Sequence, residues 1–345
     1  MERNSRRLDR YLILMALVAS LMAASPYDYD PSPYLHPQRL VDIGGRRMNI
    51  YCFGRGSPAV ILEAGLGDWI HTWRFVQPAV AHKTQVCSYD RAGMGFSDFA
   101  PPPRDATVVV SDLYRLLSNA HIRAPYVVVG SSVGGLYAQL FVDRYPSDVA
   151  GFVLVDPAEL HNWDFRTLAP AVSNALAAWR RQSALCLAAV QRAPLEPSTK
   201  IYHDCVPAAA DIASACKAGP GFCVLAKQVA AQNATRSYII DFVSEQHSWG
   251  TKTASEVLSN KRSLGSMPLV VLTGARTFED MAIPESQKVA AEKLWIQMHV
   301  RLAALSSRGK NVVVEGSGHV IQFDKPSAVV SAIETVVDQV REAER

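Results

Sequence analysis

At 345 residues, 49% hydrophobic and 19% charged, the chain is long enough to bury a large core and is neither disordered nor fibrous in composition. Lys and Arg total 35 against 32 Asp and Glu, a formal net charge of +3. The N-terminal segment carries Arg3, Arg6, Arg7 and Arg10 against Glu2 and Asp9, so the remainder is close to neutral. That balance leaves no broad basic face for nucleic acid or an anionic lipid surface.

The apolar run Tyr11 to Ala24 follows those arginines. It is short for a membrane-spanning helix and suits the core of a secretory signal peptide, with Ala19, Ser20, Ala23 and Ala24 as small residues for cleavage. No clean A-x-A site is present, so an uncleaved N-terminal anchor is the alternative. Membrane association is expected only through this segment, 1–24. Residues 25–37 are rich in Pro and Tyr and read as a linker.

Two strands are expected over Gln38 to Gly45 and Arg47 to Phe53, opened at Gly44-Gly45 as a hairpin. A third, Pro58 to Glu63, ends in Gly65-Leu66-Gly67, and Thr72 to His82 has the pattern of a helix. Gln85 to Tyr89 is a fourth strand, followed by Asp90-Arg91-Ala92-Gly93-Met94-Gly95-Phe96-Ser97-Asp98. Ala106 to Ala120 is amphipathic and helical. Tyr126-Val127-Val128-Val129 is a strand by its β-branched density. It runs into Gly130-Ser131-Ser132-Val133-Gly134-Gly135 and then a helix to Arg144. A strand over Val149 to Val155 ends at Asp156-Pro157. Strand and helix resume with Pro268 to Thr273, Glu285 to Ser306, Asn311 to Val314 and Ser327 to about Ala343. Alternating elements with continuously apolar central strands imply a mostly parallel α/β sheet covered on both faces. Residues 158–267 break the alternation; they are Ala-rich and helical in pattern and read as a cap inserted between two strands.

Gly130, Ser132 and Gly134 form a G-x-S-x-G between strand and helix. A serine on such a turn presents its hydroxyl outward, with the N-terminal end of the next helix behind it. A phosphate loop would need a different glycine spacing. In a parallel sheet, functional loops gather at the carboxyl ends of the strands. Leu66, Ser132, Asp156 and His319 all follow strands directly and so belong to one candidate cleft.

These blocks together resemble the α/β-hydrolase fold family, over about Gln38 to Pro157 and Pro268 to Ala343. The resemblance rests on four matches in order: Leu62-Glu63-Ala64-Gly65-Leu66-Gly67 as the oxyanion loop, Tyr89 to Asp98, the Gly130 to Gly134 elbow, and Ser317-Gly318-His319 followed by Asp324-Lys325-Pro326. It implies an eight-stranded, mostly parallel sheet flanked by helices, with the core formed by 38–157 and 268–345 and the cap by 158–267. It further implies a serine hydrolase that cleaves a carboxylic ester through an acyl-enzyme, with no metal and no cofactor. Ser132 is the expected nucleophile and His319 the base that takes its proton. The backbone N–H groups of Leu66 and Val133 are the expected oxyanion donors. Other reactions on this fold remain open: amide, peptide or lactone cleavage, or cofactor-free haloperoxidation. A catalytically silent small-molecule binder is the reading from outside enzymes.

The acid departs from the usual pattern. Many relatives place an Asp a few residues past a glycine after the strand that follows the cap, and Thr277 stands there. Asp156 is taken as the acid, since Val155-Asp156-Pro157-Ala158-Glu159 resembles the corresponding segment of pancreatic lipases; Asp280 and Glu279 are the alternatives. His71, Trp69 and Trp73, near the oxyanion loop, are candidates to line the cleft or fill the core.

Six cysteines, an even number beside a leader-like segment, fit disulfides in an oxidising compartment; buried thiols are the alternative. The resemblance sets the second and fourth strands side by side, which implies a Cys52–Cys87 bridge. In the cap, Cys216 with Cys223 and then Cys186 with Cys205 is the expected pairing. The absence of any C-x-x-C makes zinc the weaker reading. The expected partner is a small-molecule ester; no oligomeric state follows from the sequence.

Overall fold

The central strands are built from residues whose side chains are apolar on both faces. Val60, Leu62, Val127, Val129, Val153 and Val155 pack to one side, and Ile61, Val128, Phe152 and Leu154 to the other. A strand greasy on both faces must be covered twice, and helices do so. The computed structural model describes residues 31–158, 162–206, 209–260, 262–343 and 345. The leader expected over 1–24, and 25–30 of the linker, lie outside the described residues.

Eight strands form one sheet: β1 (Arg39–Asp42), β2 (Arg47–Phe53), β3 (Ala59–Glu63), β4 (Val86–Tyr89), β5 (Tyr126–Ser131), β6 (Val149–Val155), β7 (Leu269–Gly274) and β8 (Gly309–Val314). Their order is β1-β2-β4-β3-β5-β6-β7-β8. Only β2 runs against its neighbours; every pairing from β4 to β8 is parallel. The helices of the sheet region are α1 (Gln77–Val80), α2 (Ala106–Asn119) and α3 (Gly134–Arg144). Eight more α-helices are described between β6 and β8. Seven come before β7: α4 (Asn162–Leu168), α5 (Pro170–Arg192), α6 (Lys200–Cys205), α7 (Ala209–Ala218), α8 (Pro220–Asn233), α9 (Arg236–Ser248) and α10 (Ala254–Asn260). The eighth, α11 (Glu285–Ala303), follows β7. The chain closes with α12 (Ile321–Asp324) and α13 (Pro326–Ala343). Helices α2 and α3 cover one face of the sheet, α1 and α13 the other.

The helix expected over Thr72 to His82 is replaced by a 3-10 turn, Ile70–Trp73, and the four-residue α1. Pro78 sits in the first turn of α1, where its missing N–H costs nothing, but it cannot continue a helix begun upstream. The Gly44-Gly45 turn forms as expected, with Asp42 Oδ1 accepting from both glycine N–H groups at 2.7 and 3.1 Å.

All six cysteines are bridged, as Cys52–Cys87, Cys186–Cys205 and Cys216–Cys223. Cys52 and Cys87 lie directly opposite each other on β2 and β4. Three disulfides in one chain fit an oxidising, extracellular environment. No helix among the described residues is long and apolar enough to cross a membrane.

Candidate active site

The Gly130–Gly134 turn has the geometry its residues require. Ser132 takes φ +52°, a conformation that L residues with side chains rarely adopt. Hydrogen bonds from both sides hold it there: Ser132 N–H donates to Val155 O at 3.1 Å, and Ser132 O accepts from Ala158 N–H at 2.8 Å. The glycines admit the crossing. A side-chain carbon at Gly130 would lie 2.7 Å from Ala138 Cβ, and one at Gly134 would lie 2.2 Å from Ala64 O. So β5, α3 and the loop after β3 approach as closely as backbone allows, and the serine stands at their meeting point.

His319, on the loop after β8, is 15% exposed. Its Nε2 is 2.9 Å from Ser132 Oγ and its Nδ1 is 2.7 Å from Asp156 Oδ2. Beside a carboxylate, Nδ1 carries the proton and donates, which leaves Nε2 as the acceptor for the serine hydroxyl. Asp156, fully buried at the end of β6, also has a positive φ of +42°. The two strained residues of this region are therefore neighbours in the site.

Asp156 is held by four donors. Oδ1 accepts from Gly274 N–H at 2.8 Å and from Trp295 Nε1–H at 2.9 Å. Oδ2 accepts from Thr277 Oγ1–H at 2.8 Å as well as from His319. Burial alone would raise the pKa of this carboxyl, but the His319 hydrogen bond and charge, His299 and the Gly274 N–H outweigh it and hold it below the ordinary range. His299 is buried, and burial lowers its pKa. Asn311 Nδ2 donates to Thr273 Oγ1 at 2.6 Å, so that hydroxyl donates onward to His299 Nδ1 at 2.8 Å, and Nε2–H donates to Pro157 O at 3.0 Å.

Of the three candidate acids, only Asp156 meets His319. Glu279 is exposed and paired with Arg276 at 2.9 Å, and Asp280 is exposed. Thr277, at the position where the family resemblance led to an expected Asp, instead donates a hydrogen bond to Asp156 at the end of β6. Trp295 and His299, both on α11, were not legible as site residues, because no motif marks them. Trp69 and Trp73 are fully buried in the core, and His71 is buried with its ring 4.4 Å from that of Trp69.

Leu66 and Val133 share one cavity with Ser132 and His319, of about 130 Å³. The inserted helices supply its far wall through Trp179, Tyr238, Phe242, Trp249 and the Cys186–Cys205 pair. Asp68 lines it as well, its carboxyl pushed up to about 6 by burial. Asn233, whose Asn-Ala-Thr triplet has the form of a glycosylation site, is a buried residue of the same wall. Among the described residues, no group of three or more His, Cys, Asp or Glu is arranged to hold a metal ion.

Residues 60–332 match the sequence model of the alpha/beta hydrolase family. A protein of Bacillus subtilis, YqjL, is 25% identical over 281 residues, 81% of this chain and 83% of its own length. In fold, the chain is similar to a thermophilic esterase from Thermogutta terrifontis, with a TM-score of 0.58 and 18% identity over 86% of this chain and 94% of that one. It is equally similar to a probable hydrolytic enzyme from Pseudomonas aeruginosa PAO1, with a TM-score of 0.60 and 18% identity over 90% and 96% of the two chains. The motifs, the eight-stranded sheet and the family match over most of the length agree: this chain belongs to the alpha/beta hydrolase family.

Proposed function

We propose that the protein is an exported serine hydrolase that cleaves a small-molecule carboxylic ester through an acyl-enzyme. The observation that carries this reading is the continuous hydrogen-bonded chain from Ser132 through His319 to Asp156 at the wall of a cavity.

The steps follow from the donors and acceptors. Ser132 Oγ attacks the ester carbonyl carbon as its proton passes to His319 Nε2. Asp156, kept ionised, stabilises the imidazolium through Nδ1–H without taking the proton. The carbonyl oxygen becomes an oxyanion facing the N–H groups of Leu66 and Val133, the latter at the start of α3, where the helix dipole adds to the attraction. The tetrahedral species collapses; the C–O bond to the alcohol breaks and Nε2–H protonates the departing oxygen. Water then attacks the Ser132 ester, with Nε2 again the base, and releases the acid. The mainly apolar, aromatic wall suits an uncharged acyl or alcohol group. The three disulfides and the arginine-then-apolar N-terminal segment support export.

A fluorophosphonate probe tests the reading. Wild-type protein is expected to label on a single residue, and Ser132→Ala to lose the label while folding normally. Unlabelled but folded wild-type protein would favour a silent binder.

A further inference from the structure

Arg91 belongs to the Asp90-to-Asp98 segment after β4, and the chemistry above makes no use of it. Its guanidinium is 1% exposed, and all five of its N–H donors are engaged. Nε–H donates to Glu245 Oε1 at 2.8 Å and Nη2–H to Glu245 Oε2 at 3.0 Å, a bidentate fork. Nη1 donates to Glu63 Oε1 and to Ala64 O, both at 2.7 Å. The remaining Nη2–H donates to Gly65 O at 2.6 Å.

Gly65 C=O and Leu66 N–H are two ends of one peptide unit. That unit is planar and trans, so its carbonyl and N–H point in opposite directions. Holding the carbonyl fixes where the N–H aims. A cation on the carbonyl oxygen also polarises the unit, making the N–H a stronger donor. Glu245 lies on α9, among the inserted helices, and is fully buried. Glu63, which steadies the other edge of the guanidinium, itself accepts a hydrogen bond from Tyr89 Oη.

We infer that Arg91 and Glu245 are positioning residues for the oxyanion hole: Glu245 of α9 orients the Arg91 guanidinium, which grips Gly65 O and thereby aims Leu66 N–H at the developing oxyanion. The inserted helices thus take part in stabilising the transition state, beyond shaping the cavity. This rests on the reading of Leu66 as an oxyanion donor.

The test uses full-length protein with intact disulfides, active sites titrated with a fluorophosphonate, p-nitrophenyl acetate as substrate, and an aryl trifluoromethyl ketone as a tetrahedral analogue. Glu245→Gln keeps the shape but offers one good acceptor in place of two. Its kcat per titrated site is expected to fall about tenfold, and that of Arg91→Lys about a hundredfold, within the range seen when one oxyanion donor is lost. KM is expected to stay within about threefold, while the Ki of the ketone rises in proportion to the loss in kcat/KM. Glu256→Gln alters another contact of these helices with the sheet region, where Glu256 Oε2 accepts from Thr107 N–H at 3.0 Å, and is expected to leave both quantities unchanged. A merely structural role would lower the melting temperature and the titratable fraction, yet leave kcat per site and the ketone Ki within twofold of wild type. That result in Glu245→Gln overturns the inference, even where Arg91→Lys does not fold. Wild-type protein that neither turns over the ester nor takes the label would overturn the hydrolase reading itself, and this inference with it.

Discussion

The carboxyl edge of the sheet and the helices inserted between β6 and β7 are built on different principles. At the sheet edge, the side chains of the proposed triad follow strand ends and are joined by directional bonds; Asp156 alone accepts four. The inserted helices are rich in alanine, and two disulfides, Cys186–Cys205 and Cys216–Cys223, tie them together. Their large side chains, such as Trp179, Tyr238 and Phe242, turn toward the cavity. The difference teaches a division of labour. Directional bonds at strand ends hold atoms to the fraction of an ångström that proton transfer needs. A stapled helical wall can change its side chains, and so its substrate, without disturbing those bonds. α9 crosses the division: it lends aromatic rings to the wall and Glu245 to the core.

The largest break in this comparison should come at the sheet edge. His319→Gln is expected to lower kcat by about 10⁴-fold or more while leaving the fold intact, since it removes the proton acceptor and nothing structural; steady-state kinetics on an activated ester checks it. Thr277→Val removes one of the donors to Asp156 and should cost about tenfold in kcat, in line with the roughly 1.4 kcal/mol of a hydrogen bond to a charged group. An unchanged kcat would mean that the other three donors position the carboxylate unaided.

The helical wall should respond in a different currency. Replacing Cys186 and Cys205 together by serine opens a link spanning 19 residues and should cost about 3 kcal/mol of stability. Because this pair lines the cavity, the preferred acyl length should shift by more than the rate with the shortest ester, which a panel of esters of increasing chain length would measure. Equal losses on every ester would place the staple in the chemistry and blur the comparison.

A response independent of the chemistry is expected in stability against pH. Burial raises Glu63 to about 7, Asp90 to about 6 and Asp241 to about 8. Unfolded carboxyls titrate near 4, so between about pH 4 and 8 these three groups bind more protons folded than unfolded, and their contribution makes stability fall as pH rises; buried His71 and His299, whose pKa values are lowered, offset part of it. Asp156, held low, acts in the opposite sense: its contribution is present above the unfolded value and lost on acidification below it. The melting temperature should therefore decline from about pH 5 toward pH 8; a rise over that window would contradict these burials.

Much of the sheet edge was legible in the sequence, because its constraints are local. A strand, two glycines and a small turn define where Ser132 must stand, and a short loop after the last strand defines His319. The acid was only half legible. Asp156, Asp280 and Glu279 all satisfy the chain order, and only three-dimensional position separates them. Thr277 was noticed as a missing acid rather than as a donor to one. Trp295, His299 and Glu245 act across 139, 142 and 154 residues of chain, and such long-range partners leave no trace in spacing or periodicity. The break between Ile70–Trp73 and α1 was missed for a similar reason: helical spacing of apolar residues persists across a turn when both sides pack on one core.

The most direct measurement is the pre-steady-state acylation of Ser132 by an activated ester, followed as a burst of product and as intact mass, in wild type, Asp156→Asn and Asp280→Asn. The expected result is a stoichiometric acyl adduct on Ser132 in wild type and in Asp280→Asn, and acylation slower by about 10⁴-fold in Asp156→Asn. Acylation that survives in Asp156→Asn and fails in Asp280→Asn, or an adduct that forms without Ser132, would contradict the Ser132–His319–Asp156 assignment.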